Sequence, residues 1–505
     1  MTTTDNEPGG AAAPGAAPLP ERRWWGLATI ALAQLMITLD TTIVTIALPT
    51  AQSDLDLSDA NRQWVVTAYT LAFGGLLLLG GRVADRLGRK HTLLMGVLGF
   101  AVVSGIGGMA QSGWMLIAAR AGQGLFAALL APSTLALLVT MFPEQAERGK
   151  AIGIYTAVLT AGGGLGLVVG GLLTSTLDWR WCMYVNIPIA LTATVGAVLT
   201  LPDPPGRAEA RMDVFGTITG CGGIAALVYG FSEAGARGWH ADRVFGSLAL
   251  AGVLLIVFVI LQARRSTPLL PLRILTDRNR GTALATVALA TLGLFGVFLF
   301  LTYQLQTVMG YSAVKTGVAL LPLVAMNVLG ATQLAGRLLP KVPPRTLIVP
   351  GLLAAAASLA LLTRLTPDSS YLKVIVPAEM LLGLGIGTLF GPTVSVATSG
   401  VDQRDAGVAS ATVNTAQQVG ASIGTALLNT IAAGAGGTYL DEHRNGTDLI
   451  REATVHGYAV AASWALGIML ATAALVTVVI NADPRRTTPQ SRPRNEKAAA
   501  GTRIG

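Results

Sequence analysis

Residues 24–49 read WWGLATIALAQLMITLDTTIVTIALP and contain a single charged side chain, Asp40. An α-helix rises about 1.5 Å per residue, so this stretch is long enough to cross about 30 Å of hydrocarbon. Inside a bilayer a helix satisfies its own backbone hydrogen bonds, which an open strand or loop cannot do. The stretch therefore predicts a membrane-spanning helix.

The same pattern recurs along the whole chain, whose 505 residues are 52% hydrophobic and only 12% charged. A soluble domain has about 25% charged residues, so the composition excludes an ordinary soluble enzyme, a coiled coil and a disordered chain. We predict an all-α integral membrane protein with fourteen transmembrane helices. The predicted spans are 24–50, 64–82, 92–111, 114–140, 151–176, 182–201, 214–232, 244–263, 282–303, 316–337, 346–363, 373–398, 406–434 and 457–481.

The distribution of Lys and Arg predicts how the chain lies in the membrane. With the N-terminus inside, the cytoplasmic segments hold 25 of the 35 basic residues and the outer loops hold nine. Cytoplasmic loops of membrane proteins carry this excess of positive charge. Both termini are therefore expected in the cytoplasm, and the net charge of +8 reflects topology and not nucleic-acid binding. Residues 1–20 lack a basic n-region, so we expect the first span to act as the insertion signal.

Three ionisable residues stand well inside predicted spans: Asp40, Arg120 and Glu379. Charge at this depth is costly, and by default it indicates a functional site. Arg120 and Glu379 each lie six residues past the expected outer start of a span, and Pro132 and Pro392 follow them at twelve and thirteen residues. This correspondence indicates two related positions in duplicated halves, the usual construction of secondary transporters.

Two interpretations of these residues stay open. Asp40 and Arg120 could form a structural ion pair that locks the first and fourth helices together. Alternatively, Asp40 could exchange protons or cations, with Arg120 biasing its protonation. Glu379 has no basic neighbour in sequence except Lys373, about two helical turns away. A buried carboxyl without a partner is expected to take up a proton near neutral pH.

The loop between the second and third spans reads GRVADRLGRKHTL, residues 81–93. It places one acid among basic residues, which a solvated cytoplasmic loop would also do, but its spacing G-x3-D-R-x-G-R-K is more specific than that. The spacing resembles the signature loop of the major facilitator superfamily. The residues that carry the resemblance are Gly81, Asp85, Arg86, Gly88, Arg89 and Lys90.

Further stretches resemble the fourteen-helix drug:proton antiporter branch of that superfamily. They are LDTTIVTIALP (39–49), LIAARAGQGLFAA (116–128), GGGLGLVVGGLL (162–173), DWRWCMYVNIP (178–188) and DAGVASATVNTAQQVGASIGTA (405–426). The resemblance implies close helix packing at Gly162, Gly166, Gly170 and Gly171. One departure is Leu167, which follows the central glycine where the motif usually has proline, and it puts a kink at that position in doubt.

The resemblance implies the major-facilitator fold, with two six-helix halves plus two inserted helices. The expected segments are a cytoplasmic tail (1–23), a first bundle (24–201), the inserted pair with its loops (202–281), a second bundle (282–481) and a cytoplasmic tail (482–505). No metal site or disulfide is expected of Cys182 and Cys221, which fall at the ends of different spans.

The implied function is proton-coupled efflux of apolar or amphipathic drugs across the plasma membrane by alternating access, by a monomer without a cofactor. No nucleotide-binding P-loop and no catalytic constellation occurs in the sequence, so a proton gradient is the expected energy source and an enzyme is not expected. Asp40, Arg120 and Glu379 would couple protons to substrate, and the 81–90 cluster would latch the cytoplasmic gate through charge pairs.

Polar residues in or beside apolar helices are the candidates for the substrate cavity, although interhelical hydrogen bonding would explain each of them as well. They are Gln34, Thr38, Gln304, Gln306, Asn327, Gln333, Asn414 and Gln417. Two other functions remain open: dedicated export of one endogenous metabolite or self-made antibiotic, and a membrane receptor that does not transport. A receptor would not need its intramembrane carboxyls.

Overall fold

The computed structural model describes residues 20–57, 59–203, 213–239, 241–265, 268, 270–401, 405–443 and 449–480. Residues 1–19 of the expected N-terminal tail, the whole expected C-terminal tail (482–505) and most of the polar segment 202–213 lie outside these residues, whereas 20–23 belong to the first helix. Within them the regular structure is helical throughout. We number the membrane helices α1 to α14.

The first half contains six helices. They are α1 (Pro20–Asp54), α2 (Asp59–Leu87), α3 (Arg89–Gly108), α4 (Gly113–Met141), α5 (Gln145–Thr176) and α6, which consists of a short turn (Trp181–Tyr184) and a main segment (Asn186–Thr200). The break before α4 is set by Ser112, whose hydroxyl accepts a hydrogen bond from the Met115 backbone amide as an N-cap.

The inserted pair and the second half supply eight more helices. They are α7 (Val214–Arg237), α8 (Asp242–Arg264), α9 (Arg278–Tyr303, continued by a π-helical turn Gln304–Val308), α10 (Ala313–Ala319, Leu321–Leu329, a π-helical turn Gly330–Ala335, and Gly336–Leu338), α11 (Arg345–Leu362), α12 (a π-helical turn Tyr371–Ile375, then Val376–Thr398), α13 (Ala406–Glu442) and α14 (Leu449–Val479). A one-turn helix, Arg273–Thr276, precedes α9.

Each of the fourteen predicted spans overlaps one of these helices along most of its length. Thirteen helices are long and apolar enough to cross a membrane by the usual hydropathy criterion. The remaining predicted span, 282–303, lies in α9, whose 26 residues would extend for about 39 Å. The all-α membrane architecture is therefore confirmed.

Two predicted boundaries are wrong. The span expected to end at 434 continues in α13 to Glu442, and the span expected to start at 457 begins in α14 at Leu449. The two helices extend because they pack on each other beyond the apolar stretch. Tyr439 packs on His456 in a tilted arrangement, with 5.0 Å between ring centroids.

The two halves repeat the same packing scheme, as the predicted duplication requires. Helix α1 packs on α5 and α6, and α4 packs on α2 and α3; in the second half α9 packs on α13 and α14, and α12 packs on α10 and α11. Pro132 lies inside α4 and Pro392 inside α12. Arg120 and Glu379 thus occupy corresponding helices of the two halves.

The halves meet at two junctions, where α5 packs on α10 and α12, and α13 packs on α2 and α4. Helix α5 packs against α10, where a Cβ added at Gly153 would lie 2.8 Å from the Ala331 carbonyl oxygen. Helix α2 packs against α13, and the inserted helix α7 packs on both. Trp64 of α2 stacks on Tyr229 of α7 at 6.0 Å. The inserted pair therefore lies beside the α2–α13 junction.

Candidate functional site

Asp40 is fully buried in the middle of α1 and accepts three hydrogen bonds from other helices. Arg120 Nη1 donates to its Oδ2 at 2.6 Å. Gln123 Nε2 and Asn186 Nδ2 donate to its Oδ1 at 2.9 Å and 2.7 Å. A buried carboxylate is stable only when donors replace its lost hydration, and these three side chains do so.

Arg120 is buried to the same degree, with 1% of its surface exposed, and has partners beyond Asp40. Its Nε donates to the Val65 carbonyl oxygen at 3.2 Å, and its Nη1 also donates to Gln123 Oε1 at 2.7 Å. The guanidinium lies 4.4 Å from the centre of the Tyr69 ring, a cation–π contact. The network joins α1, α2, α4 and α6 around one ion pair, so the pairing expected as one alternative from the sequence is present.

Glu379 has a very different environment. It is fully buried near the start of α12, and neither of its carboxyl oxygens has a hydrogen-bond partner among the described residues. Lys373, the basic neighbour in sequence, is exposed and forms no ion pair with it within the described chain. The structure does not bring Glu379 into contact with Asp40 or Arg120. The two buried carboxyls therefore belong to separate sites, one in each half.

Polar side chains of α9 and its continuation are buried without partners as well. Gln304 is fully buried, and neither its Oε1 nor its Nε2 makes a hydrogen bond in the part of the chain that the structure describes. Gln306 Nε2 has no partner there either. Asn327 of α10 is fully buried, whereas Gln333 is exposed. Unpaired buried amides are costly, so ones that persist call for an explanation such as a ligand.

Three of the other predicted cavity residues, Gln34, Thr38 and Asn414, have hydrogen-bond partners within the protein. Gln34 Oε1 accepts hydrogen bonds from the Tyr155 hydroxyl at 2.8 Å and from Thr134 at 3.3 Å, which fits the interhelical alternative. The Thr38 hydroxyl donates to the Gln34 carbonyl oxygen. Asn414 Nδ2 donates to the Ser410 carbonyl oxygen, and Gln417 is half-buried.

Three π-helical turns occur in the described chain, and all three lie in the second half. One contains Gln304 and Gln306, one contains Gln333, and the third ends four residues before Glu379. Such turns commonly mark functional sites because they leave the regular hydrogen-bond ladder open to local change. Their positions coincide with the polar residues singled out from the sequence.

The predicted cytoplasmic cluster divides into two groups with different contacts. Asp85 Oδ1 accepts a hydrogen bond from the Gly407 backbone amide at 3.0 Å, across the junction between the halves. It lies 3.8 Å from Arg89 Nη2. Gly81 permits this approach, because a Cβ there would lie 2.6 Å from Ala411 Cβ.

The basic members of the cluster have contacts within their own half, and charge-pair latching of the gate stays a prediction. Arg89 donates to the Thr140 hydroxyl, and Lys90 Nζ donates to the Val198 and Leu201 carbonyl oxygens at 3.1 Å. Arg86 is exposed. Asp85 contacts the other half at the N-terminus of α13, where the helix dipole favours negative charge. Arg148 Nη2, near the start of α5, also donates across the junction to Ser395 Oγ of α12 at 3.2 Å.

Gly88 and the glycines of α5 have specific steric roles. Gly88 has a φ of 94°, a left-handed conformation that allows the turn from α2 into α3. Gly166 lies against α1, where an added Cβ would be 2.6 Å from Thr42 Cβ. Gly162 and Gly170 face Thr38 and Ile43 of the same helix in the same way.

Gly171 is half-buried, and Leu167 lies in a continuous helix. The close packing implied by the resemblance is therefore present at three of the four glycines, and α5 is not interrupted at Leu167.

Sequence reasoning missed Gln123 and Asn186, the two amides that bind Asp40. Both lie in stretches quoted for the family resemblance, and Gln123 follows Arg120 by one helical turn. That spacing was an available signal, because residues three apart share a helix face. Nothing in the sequence near Asn186 indicates Asp40, which lies 146 residues away.

An ionic cluster outside the membrane spans ties α6 to the end of α1. Trp179 Nε1 donates to Asp54 Oδ2 at 3.0 Å, and Arg180 Nη1 lies 2.8 Å from the same oxygen. The Trp179 hydrogen bond and the Arg180 guanidinium lower the pKa of Asp54 below its ordinary value. Asp54 therefore stays charged at neutral pH and holds this contact.

Comparison with known proteins shows the family to which the chain belongs. A family model described as the Major Facilitator Superfamily matches residues 30–425. The chain belongs to the major facilitator superfamily. Its fold is similar to that of a solved structure, the human organic anion transporter MFSD10 (TETRAN), with a TM-score of 0.62. The two sequences are 15% identical, and the match covers 91% of this chain and all of that one.

Relatives in the superfamily include antibiotic resistance and export proteins. The chain is 51% identical over 462 residues to the puromycin resistance protein pur8 of Streptomyces alboniger, covering 91% of this chain and 92% of that protein. It is 38% identical over 402 residues to the cephamycin export protein CmcT of Amycolatopsis lactamdurans, covering 79% and 83%. It is 36% identical over 433 residues to a tetracenomycin C resistance and export protein of Streptomyces glaucescens, covering 86% and 80%.

Family, relatives and fold identify a multi-pass membrane transporter of small molecules and point away from an enzyme. The bacterial relatives place such a transporter in the plasma membrane. Their names agree with efflux of drugs and equally with export of a self-made antibiotic.

Proposed function

We propose that this superfamily member is a proton-coupled exporter of amphipathic antibiotics, with both termini in the cytoplasm and without a cofactor. The observation that carries the proposal is the pair of fully buried carboxyls, one in each half. The Asp40 carboxyl accepts hydrogen bonds from three side chains, whereas the Glu379 carboxyl has no hydrogen-bond partner in the described chain. A transporter that exchanges protons for substrate needs buried groups that change protonation.

The two carboxyls would act at different stages. At Asp40, three hydrogen-bond donors are in place to bind a carboxylate. Glu379 holds a proton until a cation or a new donor replaces it, because a charged carboxylate without partners is unstable in a low dielectric. A substrate that carries an ammonium group and an apolar body would supply that cation. The unpaired amide of Gln304 is a further polar partner available in the second half.

Alternating access would use the two junctions between the halves. The Asp85–Gly407 hydrogen bond joins the halves on the side that we expect to be cytoplasmic, and it would have to break when that side opens. The contact between α5 and α10 provides a second surface along which the halves can rock. Each protomer contains both halves, so a monomer is sufficient for the cycle.

The test is transport of puromycin into everted membrane vesicles under an imposed gradient, with an acidic lumen. The parent should accumulate puromycin only while the gradient lasts. Asp40→Asn and Glu379→Gln should each reduce accumulation to the level of vesicles without the protein, since each removes one titrating group. Glu442→Gln, which alters an exposed carboxyl at the end of α13, is the matched control and should transport as the parent does.

If Asp40→Asn and Glu379→Gln both pump at the parental rate, the coupling assignment is wrong. If the parent accumulates neither puromycin nor ethidium under the gradient, proton-coupled drug export itself is wrong.

A second candidate, export of a single self-made antibiotic, is favoured by the 51% identity to a puromycin resistance protein. Competition separates the two. Inhibition of puromycin uptake by ethidium and other unrelated cations supports broad efflux, whereas inhibition by puromycin analogues alone supports a dedicated exporter.

A further inference from the structure

The side-chain amide of Asn186 has one polar atom in use and one free. Nδ2 donates to Asp40 Oδ1 at 2.7 Å, while Oδ1 is buried and has no hydrogen-bond partner among the described residues. Gln123, the other amide on Asp40, differs because both ends are occupied: its Oε1 accepts from Arg120, and its Nε2 donates to Asp40 and to Ser104.

This difference matters when Asp40 changes protonation. A carboxylate only accepts hydrogen bonds, but a carboxylic acid has an O–H that must find an acceptor. Arg120 has no acceptor atom, and Gln123 Oε1 is already used. Asn186 Oδ1 is a free acceptor next to the carboxyl, and an amide can present either end by rotating about its last side-chain bond.

We propose that Asn186 is a positioning residue that follows the protonation state of Asp40, donating from Nδ2 to the carboxylate and accepting at Oδ1 from the protonated acid. This inference rests on the proposed function, in which Asp40 carries a transported proton. The proton would come from water on the outer side, reside on a carboxyl oxygen of Asp40, and leave towards the cytoplasm. Asn186 itself gains and loses no proton.

The surroundings of Asp40 contain few other groups that could take this role. The titratable side chains that face it are Arg120 from α4, Tyr69 from α2 and Cys182 from the short turn of α6. Helix α5 faces that part of α1 with Gly166 and Gly170. The Tyr69 hydroxyl is the competitor, because it too is buried without a hydrogen-bond partner in the described chain.

The outer ionic cluster keeps Asn186 in register with Asp40. Asn186 starts the main segment of α6, directly after the turn that follows Trp179 and Arg180. Those two residues bind Asp54 at the end of α1. Helices α1 and α6 are thus joined at two levels, and the outer contact stays charged while the inner one changes protonation.

The test follows Asp40 in the purified protein by infrared spectroscopy across pH. The C=O stretch of the protonated acid is assigned by its loss in Asp40→Asn. In Asn186→Leu this band should move to higher wavenumber, as for an acid without a hydrogen-bonded O–H. Asn186→Ala removes the same amide without adding bulk, and its C=O band should shift in the same direction. This second variant tests the proposal if leucine does not fit at position 186.

Two controls make the result specific. Thr192→Val changes an exposed side chain of the same helix, and Tyr69→Phe removes the competing hydroxyl while keeping the ring under Arg120; both should leave the band unchanged. An unchanged band in both Asn186 variants overturns the inference, as does a shift in Tyr69→Phe equal to theirs. If the parent shows gradient-driven export but the band does not change in the Asn186 variants, only this inference is refuted. If the parent shows no such export, the proposed function is refuted.

Discussion

At the scale of single residues, the main finding is the contrast between the two buried carboxyls. Asp40 accepts three hydrogen bonds from charged and amide donors, and Glu379 accepts none in the described chain. The interior of a membrane protein penalises charge strongly, so the number of donors decides which protonation state is stable. The two halves therefore hold the same type of group in opposite electrostatic settings.

Replacement of Arg120 by methionine should destabilise the protein more than replacement of Asp40 by asparagine. Arg120→Met leaves a buried carboxylate without its cation, and breaking a buried ion pair in this way costs about 3–5 kcal/mol. Asp40→Asn leaves a neutral side chain that can still accept from Arg120. Thermal unfolding in detergent measures the difference, and an Arg120→Met variant as stable as the parent would contradict the structural part of this ion pair.

At the scale of helices, close packing depends on a few glycines on α5. Gly166 lies against α1 so tightly that a Cβ would be 2.6 Å from Thr42 Cβ and 3.1 Å from the Leu39 carbonyl oxygen. Gly164, half a turn away, faces α10, and a Cβ there would have nothing nearer than 3.9 Å. Without a hydrophobic driving force between helices in lipid, such contacts are a main source of association.

Gly166→Ala should therefore destabilise the protein by about 1–3 kcal/mol, the usual cost of overpacking. Gly164→Ala is the matched control on the same helix and should have an effect close to zero. Thermal stability of the two purified variants in the same detergent gives the comparison. Equal melting temperatures for Gly166→Ala and Gly164→Ala would show that the α1–α5 contact adjusts easily.

At the scale of the whole molecule, the halves are held together at two junctions, α5 with α10 and α12, and α13 with α2 and α4. On α5 the contacts run from Gly153 against Ala331 to Gly164 and Val168 against Gly317. The inserted pair adds to the second junction through α7 and does not separate the halves. A rocking motion has to change both junctions while each six-helix half keeps its own packing.

A disulfide between cysteines placed at 164 and 317 should stop transport. A Cβ at Gly317 would lie 3.1 Å from the Gly164 carbonyl oxygen and 2.3 Å from Val168 Cγ2, so the two backbones are close enough to be bridged only if Val168 shifts. Puromycin uptake by the double variant in everted vesicles should fall on oxidation and return on reduction. Uptake by the single variants Gly164→Cys and Gly317→Cys should not change on oxidation. Full cross-linking with undiminished uptake would show that the α5–α10 contact does not move during the cycle.

Much of the fold was predictable, and the errors have physical causes. Apolar length located every membrane helix, because a span in lipid must be helical and about 20 residues long. The ends of α13 and α14 were not predictable, since they continue past the apolar stretch by packing on each other. The role of the 81–90 loop was only partly predictable: its glycine and acid reach the other half, but Arg89 and Lys90 bind within their own half.

The sequence by itself determined the helices, the duplicated arrangement and the three charges inside the membrane, because hydrophobic length and the cost of burying charge are local properties. Only the tertiary structure decided what those charges meet. Gln123 and Asn186 reach Asp40 from 83 and 146 residues away, and Glu379 is left without a partner in the described chain. Donor geometry across helices depends on how the helices rotate and pack, and no local pattern in the chain encodes that rotation.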